Sequence, residues 1–323
     1  VRAKQKIRHA GIPYRVPPAE LLPERTPAVL AVLYLLFTEG YAATAGSELV
    51  RRPLTDEAIR LGRLLHRLLP DQPEAAGLLA LMLFHGARSP ARVDEAGELV
   101  PLEEQDRSRW DTAMITEAEH LLDATLRDAR VASPAEPGRR PAARGPAGPY
   151  QIQAAIAALH ATAPTAADTD WRQIATLYGT LRAHLPSPVV ALNQAVAVGM
   201  AYGPGAGLSL VDDLRTDLAG YPLLPAVRAD LLRRLGRDDE AADALVDALL
   251  AAGEALPGVT GMAPGPSAVA RAWTTRVGGT TRPGLFTRLL RLDTLRPPAG
   301  VPGQLIRASA VIPSAAARPP AIS

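Results

Sequence analysis

Between residues 27 and 253 the apolar positions of this chain recur in short blocks at three- and four-residue intervals, the spacing of one helix face. The alternating Val/Thr/Tyr pattern of strands is scarce. VPPAELLPERTP (16–27) reads as a proline-rich linker, with Pro27 at the start of the first full helix. AVLAVLYLLFTEGY is apolar almost all round, which predicts a buried helix. LTDEAIRLGRLLHRLL follows, with Thr55 or Asp56 as its cap and Ile59, Leu61, Leu64, Leu65 and Leu68 as its apolar face. Asp71 and Pro73 open PEAAGLLALMLFHGAR, and a further helix is predicted over 103–129 with Trp110, Met114, Leu121 and Leu122 as its stripe. In the second half, DTDWRQIATLYGTLRAHL takes Asp168 or Asp170 as cap and turns Trp171, Ile174, Leu177, Tyr178 and Leu181 inward.

The segment 226–253 is the most repeat-like. Gly236 suits a helix-ending turn, and Ala241 and Ala248, seven residues apart, let two helix backbones cross closely. With several short amphipathic helices around it, this predicts an all-α fold: an array of antiparallel helix pairs, tetratricopeptide-like or α-solenoid-like. Composition agrees, since hydrophobic residues make up 47% of the chain and aromatics only 4%. The core must then be built from aliphatic side chains, and Leu and Ala are strong helix formers.

PAEPGRRPAARGPAGP is low-complexity and divides the chain. The expected organisation is residues 1–11 as a helix remnant, 12–133 as a first helical half, 134–149 as a flexible spacer, 150–253 as a second, tetratricopeptide-like half, and 254–323 as a Pro/Gly/Arg-rich, mostly disordered tail. The net charge of +2 is uneven: residues 254–323 carry eight arginines and two acids. The tail reads either as an evolved extension or as an out-of-frame end of a GC-rich gene.

Cysteine is absent, so neither disulfides nor thiolate metal sites can form. The longest apolar runs fall far short of the roughly 20 residues of a membrane span, and a cytoplasmic protein with no membrane partner is expected. The histidines at 9, 66, 85, 120, 160 and 184 are never three or four apart, so no metal site is expected, and each reads as a surface or part-buried helix residue. GPGAG (203–207) lies between helical patterns and reads as an interhelical turn; a phosphate cradle would need a preceding strand. Nothing in the motifs suggests an enzyme or a cofactor.

Two polar clusters stand out. Glu103, Glu104 and Asp106 suit a helix start. In QDRSRWD (105–111), helical spacing would put Asp106 on one face with Arg109 or Trp110, and Arg107 with Asp111. Asp106, Arg107, Arg109, Trp110 and Asp111 form an ion-pair network anchoring Trp110, or else a recognition surface; the first reading is preferred. The second cluster is VRAKQKIRHAGIPYRVP. It carries Arg2, Lys4, Lys6, Arg8 and Arg15 with no acid before Glu20, and helical character stops at Gly11 and Pro13. Cations there satisfy a helix C-terminus or contact phosphates.

VRAKQKIRHAGIPYRVP resembles the end of the promoter-reading helix-turn-helix of an extracytoplasmic-function sigma factor of the sigma-70 type. AVLAVLYLLFTEGY, EAIRLGRLLHRLLPDQPEAAGLLALMLFHGAR, LVPLEEQDRSRWD, GPYQIQAAIAALHA, DTDWRQIATLYGTL, SPVVALNQAVAV and RADLLRRLGR resemble the long C-terminal extension of one subgroup, so the likeness covers roughly residues 1–250. It implies a subunit that binds core RNA polymerase and promoter DNA in transcription initiation, with a helical domain that regulates it or engages a protein partner. Arg2, Lys4, Lys6 and Arg8 would be what is left of the DNA-reading helix. The chain has no region 2 and only the last turns of region 4, so it is expected to be a fragment or to have a misplaced start, and not to initiate transcription unaided. The alternative expectation is a free-standing helical-repeat module that binds a peptide or partner helix.

Overall fold

The computed structural model describes residues 18–41, 50–95, 100–130, 146–221 and 223–251. The expected remnant 1–11 with Arg2, Lys4, Lys6 and Arg8, most of the spacer, and the tail 254–323 lie outside the described residues. Among the described residues ten α-helices run in order: α1 (Leu22–Tyr41), α2 (Arg52–Leu68), α3 (Pro73–Ala87), α4 (Thr112–Arg130), α5 (Pro149–Ala161), α6 (Trp171–His184), α7 (Pro188–Tyr202), α8 (Pro204–Asp213), α9 (Leu223–Arg234) and α10 (Asp238–Ala251). Among the described residues there is no strand element, so the fold is an all-α array.

Most helices pack on their neighbours in sequence, and α3 is the hub, touching α1, α2, α4 and α5. Almost all of α3 is buried, including Leu78, Leu79, Met82, Leu83 and Phe84. The core of the first half does not stop at the spacer: Ala154, Ala157 and Ala161 of α5 belong to it. A second cluster centres on Ile174, Tyr178 and Leu181. A third joins Leu192, Val211, Leu232 and Val246.

Several helix starts differ from expectation. α1 begins at Leu22 after a 3-10 turn, Ala19–Leu21, so Pro27 is inside it. Thr26 Oγ1 donates to the Leu22 carbonyl at 2.7 Å within this first stretch. Nor is α1 buried all round: Val29, Val32 and Leu35 are exposed while Leu30, Leu33, Tyr34 and Phe37 face the core. The fully enclosed helix is α3, because it is the one with neighbours on every side. α2 starts three residues before Thr55, with Pro53 in its first turn, a position where a missing N–H costs nothing. Thr55 is therefore no cap; it is buried and its hydroxyl donates to the Arg52 carbonyl. Ile59 is buried as expected, but Leu64 and Leu68 are exposed, and Ala58 and Gly62 complete the buried face.

The repeat-like segment folds as a helix pair. Gly236 adopts φ +71° between α9 and α10, and its N–H and that of Arg237 close the end of α9 on the carbonyls of Arg233 and Leu232. Ala248 is buried in the pair. Of GPGAG only Gly203, at φ +105°, stands between α7 and α8; Pro204–Gly207 form the first turn of α8, so the expected turn is one residue long. Asp170, rather than Asp168, caps α6 by accepting the Gln173 N–H at 2.9 Å.

Candidate functional site

The densest polar chemistry lies at residues 88–111, in the connection between α3 and α4. The connection is not helical as the spacing suggested. It makes 3-10 turns at Ser89–Ala91, Leu102–Glu104 and Arg107–Arg109, and α4 starts only at Thr112. Glu103 and Glu104 accordingly sit in a 3-10 turn and not at an α-helix start.

The short polar side chains shape this connection. Asp106 accepts the Ser108 N–H at 3.0 Å and the Ser108 hydroxyl at 2.6 Å, closing the 107–109 turn; the hydroxyl bond is the chief reason its carboxyl titrates below the usual range. Asp111 accepts the Met114 N–H at 3.0 Å and so caps α4, while its own N–H donates to the Ala87 carbonyl. Helix caps favour Asp because its short carboxylate reaches orphan N–H groups without blocking the helix path. Gln105 is buried and donates to the Val100 carbonyl at 2.9 Å.

The arginines do a different task. The last carbonyls of a helix lack intrahelical donors, and two arginines supply them across the fold. Arg92 donates to the carbonyl of Tyr41, the last residue of α1, with its guanidinium 3.6 Å from the centre of the Tyr41 ring. Arg107 donates to the carbonyls of His160 (2.7 Å) and Ala163 (2.8 Å) at the end of α5, and lies 4.5 Å from the Trp110 ring. Arg88, just past α3, is buried; its Nη2 donates to the Tyr41 hydroxyl at 2.7 Å. The ring of His85 lies 5.3 Å from that of Tyr41, and His160 meets Trp171 edge-on at 5.1 Å.

Three arginines, two histidines, two tryptophans and a tyrosine from α1, α3, α5, α6 and the connection therefore form one junction. Its electrostatics bear the mark of burial among cations. His160 is held neutral to about 3, mainly by burial and then by the charges of Arg88 and Arg107. His85 is pushed well below its ordinary value by burial of its ring, with Arg88 and Arg92 adding to it. Arg107 is itself lowered, by burial and then by Arg88.

Of the expected cluster, Arg107 and Trp110 enter this junction. Asp106 and Asp111 act on the connection's own backbone, and Arg109 is exposed. The pairing of Arg107 with Asp111 across a helix face does not occur, since no helix runs there. Sequence reasoning missed Tyr41, His85, Arg88, Arg92 and His160; in particular His160 was expected at or near the surface and is 2% exposed. The signal for the arginines was available in FHGARSPAR, where basic residues follow directly on a helix that ends in Gly-Ala. Among the described residues no group of three or more His, Cys, Asp or Glu is placed to hold a metal ion, and no helix is long and apolar enough to cross a membrane.

A family model described as "Family of unknown function (DUF6596)" matches residues 25–126, a range that spans α1 to most of α4 and includes the whole connection. The chain is also 48% identical over 240 residues to an uncharacterized protein of Rhizobium meliloti (strain 1021), a match covering 74% of this chain and 53% of the relative. The chain thus matches only about half the length of that curated relative. No solved structure matches it.

Proposed function

We propose that this chain is the C-terminal helical extension of an extracytoplasmic-function RNA polymerase sigma factor, a cytoplasmic interaction domain without catalysis of its own. The residue stretches that resemble that extension support the reading. The observation that carries most weight is their position in the fold: LMLFHGAR and VPLEEQDRSRWD (100–111) build the hub helix and the junction that ties α1, α3, α5 and α6 together. A helical array with so rigid a hub suits a domain that holds one protein surface against another. The reading gives core RNA polymerase and promoter DNA as partners of the longer protein, with Arg2, Lys4, Lys6 and Arg8 belonging to its DNA-reading helix.

In vitro transcription tests it. Core polymerase with these 323 residues should give no promoter-specific initiation, and core polymerase with a longer protein carrying two preceding sigma domains should. Initiation by the 323 residues alone would refute the reading.

The second reading, a free-standing helical-repeat module for a peptide or partner helix, is favoured by one feature. Val29, Val32 and Leu35 place three exposed aliphatic side chains on one side of α1. Affinity capture separates the two: retention of polymerase supports the first, and retention of another protein without polymerase supports the second.

A further inference from the structure

We propose that the arginine junction between α3, α5 and the 100–111 segment binds a small phosphate-type oxyanion, with Arg88 and Arg107 as its charged donors. Independently of any sigma-factor role, Arg88 is the residue that calls for an anion. This side chain is 6% exposed, and among the described residues it makes no ion pair; its one hydrogen bond is to the neutral Tyr41 hydroxyl. Its Nε–H is buried and has no acceptor. An arginine in such a place normally faces an anion, because a buried guanidinium without one keeps its full desolvation penalty.

Charge accumulates around it. Arg107 lies in the same junction, and both buried histidines are neutral. The helix-end carbonyls that Arg107 meets offset only about half a charge per helix. Asp168, which accepts from the N–H and hydroxyl of Thr165, is the carboxylate whose field reaches Arg107, and it offsets one of these charges. Donors are also in excess. Arg107 spends only Nη1 on carbonyls, and the Trp110 indole N–H is buried without an acceptor. Guanidinium forks and an indole N–H are donor-only groups. They suit a compact ligand with a double charge and several acceptor oxygens, which a phosphate dianion has and a carboxylate lacks.

The test uses the full 323-residue chain and inorganic phosphate at pH 7.5, with ionic strength matched by sodium chloride. Thermal unfolding should shift upward by several degrees in phosphate, and calorimetric titration should give one site. Arg88→Gln and Arg107→Gln should each weaken that binding roughly tenfold or more, while Arg109→Gln, on the exposed neighbour, should leave it unchanged. If Arg88→Gln does not fold, Arg107→Gln and Arg109→Gln suffice for the comparison. Glycerol phosphate in place of phosphate tells a free anion from the end of a small ester, and tighter binding of either supports the site. No shift beyond that of chloride, or a phosphate response that survives in Arg107→Gln, would overturn the proposal.

Discussion

Glu74 accepts the backbone N–H of Tyr150 at 3.0 Å, and its other oxygen accepts that of Gln151 at 3.1 Å. A side chain in the first turn of α3 thus caps α5, 76 residues further on. Gly148 at the N-cap position of α5 has no side chain to accept these N–H groups; within α5 only Gln151 Oε1 reaches back, accepting the Gly148 N–H at 3.0 Å. Burial holds the Glu74 carboxyl above the usual carboxylate range, although the two N–H groups pull the other way. Glu74→Ala, which orphans both N–H groups, should cost about 1–3 kcal/mol. Glu74→Gln keeps one acceptor oxygen and should lose clearly less. Urea unfolding of the two variants checks the order.

The same crossing admits no side chain at Gly77. A Cβ there would lie 2.7 Å from the Gln151 nitrogen, so the backbones of α3 and α5 would have to separate. Gly77→Ala should destabilise by about 1–3 kcal/mol through overpacking. Gly205, in the first turn of α8, has open space around it. Gly205→Ala should be neutral or gain up to about 1 kcal/mol from helix propensity. The contrast in thermal midpoints separates close approach from a general cost of replacing helical glycine.

Stability should fall as pH drops below about 6.5. The unfolded chain protonates histidine near 6.5, whereas folded His160 resists protonation down to about 3. Between those values the unfolded state binds more protons, so the contribution is fully present above 6.5 and is lost progressively toward 3. The limit is about 1.4 kcal/mol per pH unit for each such histidine, and His85 acts in the same direction. His160→Gln should flatten denaturant midpoints between pH 5 and 6.5, above the carboxylate range. An unchanged slope would mean that His160 is protonated in the fold.

The Ala- and Leu-rich, aromatic-poor composition made the helical class legible, and Gly203 and Gly236 marked turns because their positive φ is a local property. What failed was non-local. Periodicity shows that α1 has apolar residues all round but not how many neighbours it will have, and the hub fell to α3 instead. The run at 103–111 has helical spacing, yet Asp106 closes a 3-10 turn on Ser108 and the chain must bend to bring Arg107 to the end of α5. Arg88 and His160 are 72 residues apart in sequence; only the packing of α5 against α3 brings their charges together.

Arg107 and Arg109 provide a matched pair from one turn. Arg107→Ala removes two hydrogen bonds to carbonyls at the end of α5 and the contact with Trp110, and should cost about 1–3 kcal/mol. Arg107→Lys cannot restore it, since an ammonium lacks the planar face that lies over the indole. Arg109→Ala should change stability by less than about 0.5 kcal/mol, as an exposed side chain away from such contacts. Chemical unfolding of the three variants provides the comparison, and equal losses at 107 and 109 would remove the special role of the first.

α1 carries two apolar faces with opposite fates, and neighbouring residues test them. Leu33 is 7% exposed and packs in the core cluster, whereas Val32 is 64% exposed. Leu33→Ala should cost about 2–5 kcal/mol, the transfer term plus the cavity left behind. Val32→Glu and Leu35→Glu should leave stability within about 0.5 kcal/mol, because neither position is packed in the core and Glu is a better helix former than Val. If that outer face engages another protein, as both proposed readings allow, the two glutamates should abolish capture of that protein while the thermal midpoint stays in place. A large loss of stability from Val32→Glu would instead mean that another part of the chain covers this face in solution.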